Sequence, residues 1–385
     1  MAGWMQILVS AAAGLFVLAV LLAAATAWVQ ERRYRRDRQQ NAGWIAPAPR
    51  SAPGAPDSVA TPAGAPPAGN PVRRARRPLV AVNPYEGEGH YVPVQLHAHT
   101  TRSRDGAVEP EAVAAQYAAA GFAALALTDH DQVTLLPPGQ VPAGLTLIPG
   151  EEDTVIEPVW PLGRHMVRLF VAAPNRPASP QGRIDQTCTA GGLACMAHPH
   201  WPGGLGSGRW LYPELSALRG YHLMEIHSRF SITDEDVALW HRLLATRGPE
   251  NPLWCVASDD FHRPDHLGWG WIMVKTGASG QPPSLEVLKR ALRSGAFYAT
   301  SGPLVRFGLE GLRVEAEAAA GQASRGMVFR FLDAAGQVRK SAHGGGALEL
   351  EGDEGFVRVE AEDTRTGRRA WSQPFWVRMA RSRHA

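Results

Sequence analysis

Short apolar runs in the middle of the chain end, one after another, in histidine or acidic residues. The run 122–127 is continuously apolar, as is typical of a strand buried on both faces, and it ends in Thr128-Asp129-His130. Helix signals lie between the runs: Pro110 begins a predicted helix and Gly121 ends it. Strands that alternate with helices and carry polar residues at their ends predict a (β/α) barrel, whose active site gathers at that face. A doubly wound open sheet is the alternative, but it would not readily bring so many strand ends together.

The same pattern extends over 79–300. An alternating strand over 92–96 brings His97 and His99 to its end on one side. Further strands are predicted over 145–148, 166–172, 193–197, 223–226 and 254–257, and helices over 234–246 and 284–294.

The pattern changes after residue 300. Short alternating stretches separated by Gly-rich turns are typical of antiparallel strands. We therefore predict a small C-terminal antiparallel β unit over 301–385, which packs on the barrel or borders its substrate opening. Its predicted strands are 328–332, 347–350, 356–359 and 375–379.

The first 30 residues predict a membrane anchor. No charged residue occurs in 7–29, a length sufficient for a helix to cross a bilayer, and Trp4 and Trp28 lie near its two ends. A cleaved signal peptide is the alternative, but no Lys or Arg precedes the run, as a signal peptide requires. The region 1–30 is therefore predicted to be an uncleaved, single-pass transmembrane helix.

A basic flank and a linker follow over 31–78. Five arginines lie between Arg32 and Arg38, and the positive-inside rule places this flank, with the catalytic domain after it, in the cytoplasm. The rest of the segment is rich in Pro, Ala and Gly and has too few large apolar residues to offset the entropy of ordering. It is predicted to be a flexible tether.

The composition fits a globular protein and excludes two classes. Hydrophobic residues make up 45% of the 385 residues and charged residues 19%, which supports a sizeable core. The net charge is only +3, with much of the basic excess near the N-terminus, so no nucleic-acid-binding surface is predicted. The three cysteines have no metal-type spacing and leave one unpaired, so no disulfide framework is implied.

The residues at the strand ends share one chemistry. Imidazole nitrogen and carboxylate oxygen are the ligands that Zn, Mn and Fe have in common. Each residue alone has an ordinary structural explanation, such as a turn, a cap or a hydrogen-bonded strand end. Their recurrence at one structural position indicates a metal site, and because nine ligands are too many for one ion, two or three divalent ions are predicted. The candidate ligands are His97, His99, Asp105, His130, Glu152, His165, His198, Asp260 and His262.

The order of these motifs resembles that of the PHP (polymerase and histidinol phosphatase) metallohydrolases. The opening motif of that family, His-x-His-Thr-x-x-Ser-x-Asp-Gly, is similar to residues 97–106 here. The resemblance covers about 79–300, and the stretch 298–303 with the β tail is similar to a branch that includes carbaryl-hydrolase-like enzymes. The later motifs follow in the family's order: Thr128-Asp129-His130, Gly150-Glu151-Glu152, His198-Pro199 and Asp259-Asp260-Phe261-His262.

The resemblance implies a distorted (β/α)7 barrel around a trinuclear site. Asp259 is the alternative to Asp260 as a ligand, but the Asp-x-His spacing of Asp260 and His262 lets both side chains face one ion. The implied ligands of a buried pair of ions are His97, His99, Glu152 (bridging) and Asp260, and the rest of the shell is Asp105, His130 and His262, with His165 and His198 at shared and outer positions.

The resemblance further implies a metal-dependent hydrolase of ester bonds. The first expectation is a membrane-anchored phosphoesterase that hydrolyses a small-molecule phosphate mono- or diester with a metal-bridging hydroxide. The alternative is a carboxylic or carbamic ester hydrolase that uses the same metal site. A binding protein without turnover would be expected to lack ligands, and every position is filled. Asp129 is predicted to orient a ligand, His227 to line the substrate pocket and Arg263 to neutralise substrate charge.

Overall fold

The computed structural model describes residues 2–41, 79–155, 163–174, 177, 179–204, 207–277 and 281–379. In the first helix, the side chains are described at position 15 and from position 17 onward. The predicted linker over 42–78 therefore lies outside the described residues, as does the end of the C-terminal unit from 380.

The described part of the chain contains six α-helices and eighteen β-strands. The helices are α1 (Ala2–Asn41), α2 (Pro110–Ala119), α3 (Pro180–Thr189), α4 (Tyr212–Ala217), α5 (Thr233–Ala245) and α6 (Leu285–Ser294). The strands are β1 (Leu79–Val82), β2 (His90–Gln95), β3 (Ala124–Leu127), β4 (Thr146–Val155), β5 (Arg164–Leu169), β6 (Leu193–Met196), β7 (Leu223–His227), β8 (Trp254–Ala257), β9 (Trp271–Thr276), β10 (Phe297–Thr300), β11 (Val305–Glu310), β12 (Arg313–Ala318), β13 (Met327–Asp333), β14 (Val338–His343), β15 (Gly345–Glu349), β16 (Phe356–Asp363), β17 (Arg368–Trp371) and β18 (Phe375–Met379).

A mixed sheet carries the candidate site. Hydrogen-bonded neighbours follow the order β9, β2, β3, β4, β5, β6, β7, β8. Strands β2 to β4 run parallel, and so do β6 to β8, which confirms the predicted α/β class with parallel strands. All residues of β3, β6 and β8 are buried. Alternate residues of β6 enter two different apolar clusters, one on each face, which is why these strands read as continuous apolar runs.

The segments that follow β2 and β8 meet beside the candidate site, although five strands lie between β2 and β8 in the sheet order. Ala98, beyond β2, forms a parallel bridge with Phe261, beyond β8. The backbone N–H of His99 donates to the carbonyl of Phe261 over 2.7 Å. On the edge of β8 away from β7, the side-chain amide of Gln373 pairs with the backbone of Cys255 at 2.9 and 2.8 Å. The polar residues that follow β2 and β8 therefore lie side by side.

Strand β5 runs against its neighbours, which the sequence pattern did not predict. Strand β4 is ten residues long, and β5 returns antiparallel to both β4 and β6. His165 is the second residue of β5, near the start of the strand. Because the strand is reversed, this start lies at the same edge of the sheet as the ends of β4 and β6.

The C-terminal strands continue the sheet rather than form a detached unit. Strand β17 pairs with β10, β18 pairs with β1, and β16 pairs with both β17 and β18. Strands β11, β12 and β15 form a second sheet, and an apolar cluster that includes Phe307, Phe329 and Phe375 fills the C-terminal region. The predicted antiparallel pairing is confirmed, while the domain boundary between 300 and 301 stays a prediction.

Within the described part of the chain, no helix combines enough length with enough apolar character to cross a bilayer. The prediction of a single-pass transmembrane helix over 7–29 is therefore wrong, and so are the predicted membrane partner and membrane localisation. The cytoplasmic placement of the catalytic domain, which rested on that helix, is withdrawn with it.

The C-terminal half of α1 packs on the rest of the protein instead. Tyr34 is buried, and its hydroxyl donates to the carboxylate of Glu235 in α5. Arg38 Nε lies 2.7 Å from the other oxygen of Glu235. Arg209 stacks over the Tyr34 ring at 3.9 Å and pairs with Glu31 at 3.1 Å. Arginine and tyrosine side chains of the predicted basic flank thus pair with acidic groups of the folded domain.

His241 of α5 makes the stability of the fold sensitive to acid. Its Nδ1 accepts a hydrogen bond from Arg358 Nε over 2.7 Å. Burial, with a further contribution from that guanidinium, holds the pKa of His241 well below its ordinary value. An unfolded histidine titrates near pH 6.5, at roughly its unperturbed pKa. The free energy of unfolding should therefore fall as the pH drops below about 6.5, because the unfolded state then takes up a proton that the folded state does not.

Urea unfolding at about pH 7 and about pH 5 measures this effect. The substitution His241→Gln keeps an acceptor for Arg358 and removes the titration, so the difference in unfolding free energy between the two pH values should shrink. His343→Gln, which replaces an exposed histidine, serves as the control and should leave the difference unchanged. An unaltered difference in the His241 variant would contradict this account.

Candidate metal centre

One edge of the mixed sheet gathers polar side chains from several strands. Residues that follow β2, β3, β6 and β8 meet there with the end of β4 and the start of β5. Because all these points lie at the same edge, their side chains converge, as at the active face of a barrel. The structure brings together all nine candidate ligands: His97, His99, Asp105, His130, Glu152, His165, His198, Asp260 and His262.

Four of these side chains form a buried inner group: His97, His99, Glu152 and Asp260. Glu152 Oε2 lies 3.1 Å from His99 Nε2 and 3.3 Å from His97 Nε2. Asp260 Oδ1 lies 3.4 Å from each of the same two nitrogens. One ligand atom from each residue lies within 4.8 Å of all the others, which is compact enough for one cation to contact all four.

Asp105, His130 and His262 extend this group toward solvent. Asp105 Oδ2 lies 3.3 Å from His130 Nε2 and 3.2 Å from His262 Nε2. The Asp105 side chain is 46% exposed, whereas Glu152 is almost fully buried, so the cluster runs from the interior to the surface. A ligand could therefore approach from the Asp105 side.

Glu152 stands between two sets of imidazoles. Its Oε2 faces His97 and His99, while its Oε1 lies 2.9 Å from His165 Nδ1 and 3.1 Å from His198 Nε2. A carboxylate whose two oxygens face separate groups of nitrogen ligands is suited to bridge two cations.

The buried charges shift one another's pKa. Burial raises the pKa of Glu152, but the surrounding imidazoles, above all His165, outweigh burial and hold this pKa well below its ordinary value. Burial opposes protonation of His99, yet the carboxylates of Asp260 and Glu152 raise its pKa to about 10. Protons and divalent cations therefore compete for the same nitrogens, as they do at metal sites in general.

The inner group fits a divalent cation. His97 Nε2 and His99 Nε2 are only 3.1 Å apart, while their Nδ1 atoms already face Glu225 and Ser103. Asp260 Oδ1 is buried and has no hydrogen-bond partner among the described residues. Two imidazole nitrogens and a carboxylate oxygen thus converge on one point, and this donor set suits Zn, Mn or Fe.

Two of the candidate ligands, Asp260 and His198, have a strained backbone conformation. Asp260 has φ +50° and His198 has φ +23°, in the left-handed region that non-glycine residues seldom adopt. Such a conformation costs about 1 to 3 kcal/mol and persists where surrounding contacts enforce it. At His198, the backbone N–H donates to Glu225 Oε2 over 2.9 Å. The strained residues are therefore two whose side chains turn toward the cluster.

Glu225 of β7 supports two candidate ligands, His97 through its imidazole and His198 through its backbone, and it was not predicted from the sequence. Its Oε1 lies 2.8 Å from His97 Nδ1 and accepts from Ser258 Oγ over 2.7 Å, while its Oε2 accepts the backbone N–H of His198. A carboxylate that holds one ring nitrogen of a histidine fixes the direction of the other. His97 Nε2 is thereby turned toward the inner group.

A β-bulge in β7 turns the side chains of Glu225 and His227 in different directions. Regular alternation would place the two on the same face. The pairing of β7 with β8 shifts between Glu225 and His227, and such a bulge re-aims the side chain that follows it. His227 Nδ1 lies 2.8 Å from Thr233 Oγ1, and Nε2 lies 3.3 Å from the carbonyl oxygen of Trp269. The structure does not bring His227 to the cluster or to the cavity above it.

Asp129 lies behind the cluster. Its Oδ1 accepts the backbone N–H of Thr100 over 2.7 Å and the hydroxyl of Ser103 over 2.9 Å. Ser103 Oγ in turn lies 3.0 Å from His99 Nδ1. Asp129 therefore holds the loop after β2 and reaches His99 through Ser103, which is the kind of supporting position proposed for it from the sequence.

Arg263 and Asp259 are neighbours of the candidate ligands but face elsewhere. Arg263 Nε lies 2.9 Å from Asp265, and both side chains are more than half exposed. Asp259 is buried and accepts hydrogen bonds from Tyr117 Oη over 2.6 Å and from the Trp269 backbone N–H over 2.7 Å. Asp260, rather than Asp259, is thus the aspartate that the fold brings to the cluster.

The fold and the site together define an α/β protein with a candidate centre for several metal ions. No family model matches the sequence, and no curated protein matches it significantly. Among solved structures, a two-domain protein from Bacteroides vulgatus that contains a predicted PHP-like metal-dependent phosphoesterase is similar at 14% identity and a TM-score of 0.43, over 77% of this chain and 95% of that chain. PsfC from Pseudomonas syringae is similar at 15% identity and a TM-score of 0.38, over 52% of this chain and 88% of that chain. Neither similarity bears on the carbaryl-hydrolase-like branch.

Proposed function

We propose that this protein is a metal-dependent phosphoesterase of the PHP type that holds two or three divalent ions and hydrolyses a small-molecule phosphate mono- or diester. One observation carries the proposal: nine histidines and carboxylates from distant parts of the sequence converge in overlapping groups, in each of which the ligand atoms lie within 4.8 Å of one another. Their order along the chain, which resembles that of PHP metallohydrolases, supports the same proposal. The distorted (β/α)7 barrel and its trinuclear site are part of it.

The roles of the residues follow from their positions. Bound divalent ions supply a water whose pKa is lowered to about 7, together with a Lewis acid for the oxygens of the ester. Glu152 would lie between the ions, and Glu225 would keep His97 Nε2 directed toward them. Ser103, held by Asp129, would do the same for His99. The proposed ligands are those that the resemblance implied.

Arg102, rather than Arg263, is positioned to bind a phosphoryl oxygen of the substrate. A second cavity adjoins the cluster, and Arg102 lines it together with Asp105, His130 and Trp201. A guanidinium in this position would pair with an oxygen of the ester that the ions do not hold.

A panel of esters with and without metal tests the proposal. After treatment with a chelator and reloading with Mn²⁺ or Zn²⁺, the full chain should hydrolyse an aryl phosphate or a bis-aryl phosphate and leave an aryl acetate intact. Activity should disappear with the chelator and return with the ion. Hydrolysis of the aryl acetate alone would support the carboxylic or carbamic ester alternative, and no hydrolysis of any ester would contradict both.

Two neighbouring aspartates offer a matched control for this panel. Asp260→Asn removes a buried carboxylate of the inner group and should lower activity at least about 100-fold, a larger loss than removal of a supporting residue causes. Asp265→Asn removes an exposed carboxylate five positions away and should leave activity unchanged.

A further inference from the structure

Two aromatic side chains border the cavity above the cluster. This cavity has a volume of about 240 Å³ and is lined by cluster residues together with Trp201 and Phe230. The ring of Trp201 lies 4.7 Å from that of His165, measured between centroids, and the ring of Phe230 lies 5.5 Å from that of His262. The two aromatic rings therefore stand beside different members of the cluster.

Phe230 is one of three exposed apolar side chains on this side of the protein. Phe230, Ile232 and Trp269 are 39%, 39% and 41% exposed. Trp269 Nε1 donates to the carbonyl oxygen of Ser228 over 3.1 Å, which holds its ring beside the loop that carries the other two. Apolar residues exposed singly are ordinary on protein surfaces, and of these three Phe230 is the one that lines the cavity.

Core packing does not account for either ring at the cavity. Neither Trp201 nor Phe230 belongs to any of the four apolar clusters that form the core of the described residues. The rings that contact them belong to histidines: His165 and His198 contact Trp201, and His262 and His266 contact Phe230. The rings thus present apolar surface to a cavity whose other walls are imidazoles and carboxylates.

We propose that Trp201 and Phe230 bind a planar aromatic ring in the leaving group of the ester. The preferred substrates are then phosphate esters whose alcohol carries one aromatic ring next to the scissile bond. Aromatic faces and edges attract one another in stacked or edge-to-face contacts beyond the effect of buried area alone. The volume of about 240 Å³ is below the about 300 to 1,000 Å³ of typical ligand pockets, which favours a single ring over a fused ring system. The inference rests on the proposed function.

Three matched esters test this inference: benzyl, cyclohexylmethyl and ethyl phosphate. All are esters of primary alcohols, so the reactivities of their phosphorus–oxygen bonds are similar, while the first two match in size and differ in aromaticity. For the metal-loaded full chain, kcat/KM should be about 10-fold higher for benzyl phosphate than for either of the others, as expected for a pair of aromatic contacts. Most of the difference should lie in KM.

Trp201→Leu and Phe230→Leu should each bring the benzyl-to-ethyl ratio of kcat/KM toward one, and metal content should remain at the wild-type value. Phe230 is partly exposed, so its variant should fold even if the Trp201 variant does not. Trp28→Leu removes an exposed ring on α1, outside the cavity, and should preserve the ratio.

The outcomes separate this inference from the function on which it rests. A wild-type ratio near one, or a ratio that neither cavity variant changes, would overturn the aromatic site and leave the phosphoesterase in place. Equal rates for benzyl and cyclohexylmethyl phosphate would show a merely apolar site and would also overturn it. Hydrolysis of the aryl phosphate but of none of these three would overturn the aromatic site alone, whereas hydrolysis of no phosphate ester at all would contradict the proposed function itself.

Discussion

Glu152→Gln should abolish hydrolysis and weaken the binding of divalent ions by more than about 100-fold, beyond the 10- to 100-fold loss that supporting residues cause. The amide has nearly the shape of the carboxylate but no charge, and it presents an NH₂ donor where the cluster needs an acceptor. The residue is almost fully buried, so water cannot replace the lost oxygen. The Glu152 carboxylate lies within ion-pair distance of five imidazoles: His97, His99, His130, His165 and His198.

Titration calorimetry with Mn²⁺ or Zn²⁺, together with the ester panel, measures both losses. Glu362→Gln neutralises a carboxylate of β16 that pairs with Arg330 at 2.8 Å, and it should leave affinity and activity at the wild-type values. Wild-type affinity in the Glu152 variant would show that the cluster does not bind the ions through this carboxylate.

Glu225→Gln should weaken the binding of divalent ions by about 10- to 100-fold, less than the loss at Glu152. Glu225 acts through His97, whose Nδ1 it holds at 2.8 Å, and through the backbone N–H of His198. With a neutral amide in its place, His97 Nδ1 has only an uncharged acceptor, which fixes its orientation less firmly and leaves its Nε2 a weaker ligand. Activity should recover in part when the ion concentration is raised.

Glu225→Asp separates orientation from simple packing. It keeps the charge and shortens the side chain, so it should regain part of the affinity lost in the amide variant. Affinity for the ion and unfolding in the presence of a chelator are measured for both variants. If Glu225 had a packing role alone, its substitution would change only the free energy of unfolding. Unchanged metal affinity in Glu225→Gln would overturn the orienting role.

The parts of the fold that follow from local chemistry could be predicted from the sequence. The continuous apolar run 122–127 contains β3, because a strand covered on both faces is apolar at every position. Helix α6 begins after Ser284, whose hydroxyl accepts the backbone N–H of Val287, and ends at Gly295 with φ +76°, as capping residues indicate. The direction of a strand is not marked by any comparable sequence pattern. The apolar run after His165 is the same pattern for a parallel or an antiparallel strand, so the reversal of β5 was not predicted.

The candidate ligands were identifiable because histidine and acidic residues at strand ends are conspicuous against apolar runs. Glu225 lies inside a strand, where a single acidic residue is not conspicuous, and no sequence pattern marks the bulge that separates its direction from that of His227. Trp201 and Phe230 lie in loops, where an aromatic residue alone carries no signal for a cavity. The membrane prediction was wrong, because no helix among the described residues is long and apolar enough to cross a bilayer; Tyr34 and Arg38 of the same helix pack against α5.

Anomalous X-ray scattering from crystals of the full chain grown with Mn²⁺ tests the central claim most directly. The account predicts two or three strong peaks among the nine candidate ligands, with at least one peak within coordination distance of Glu152 and of the Nε2 atoms of His97 and His99. The same experiment on Glu152→Gln should show these peaks weakened or lost. No anomalous peak in this cluster at saturating Mn²⁺, or peaks only at surface carboxylates, would contradict the account.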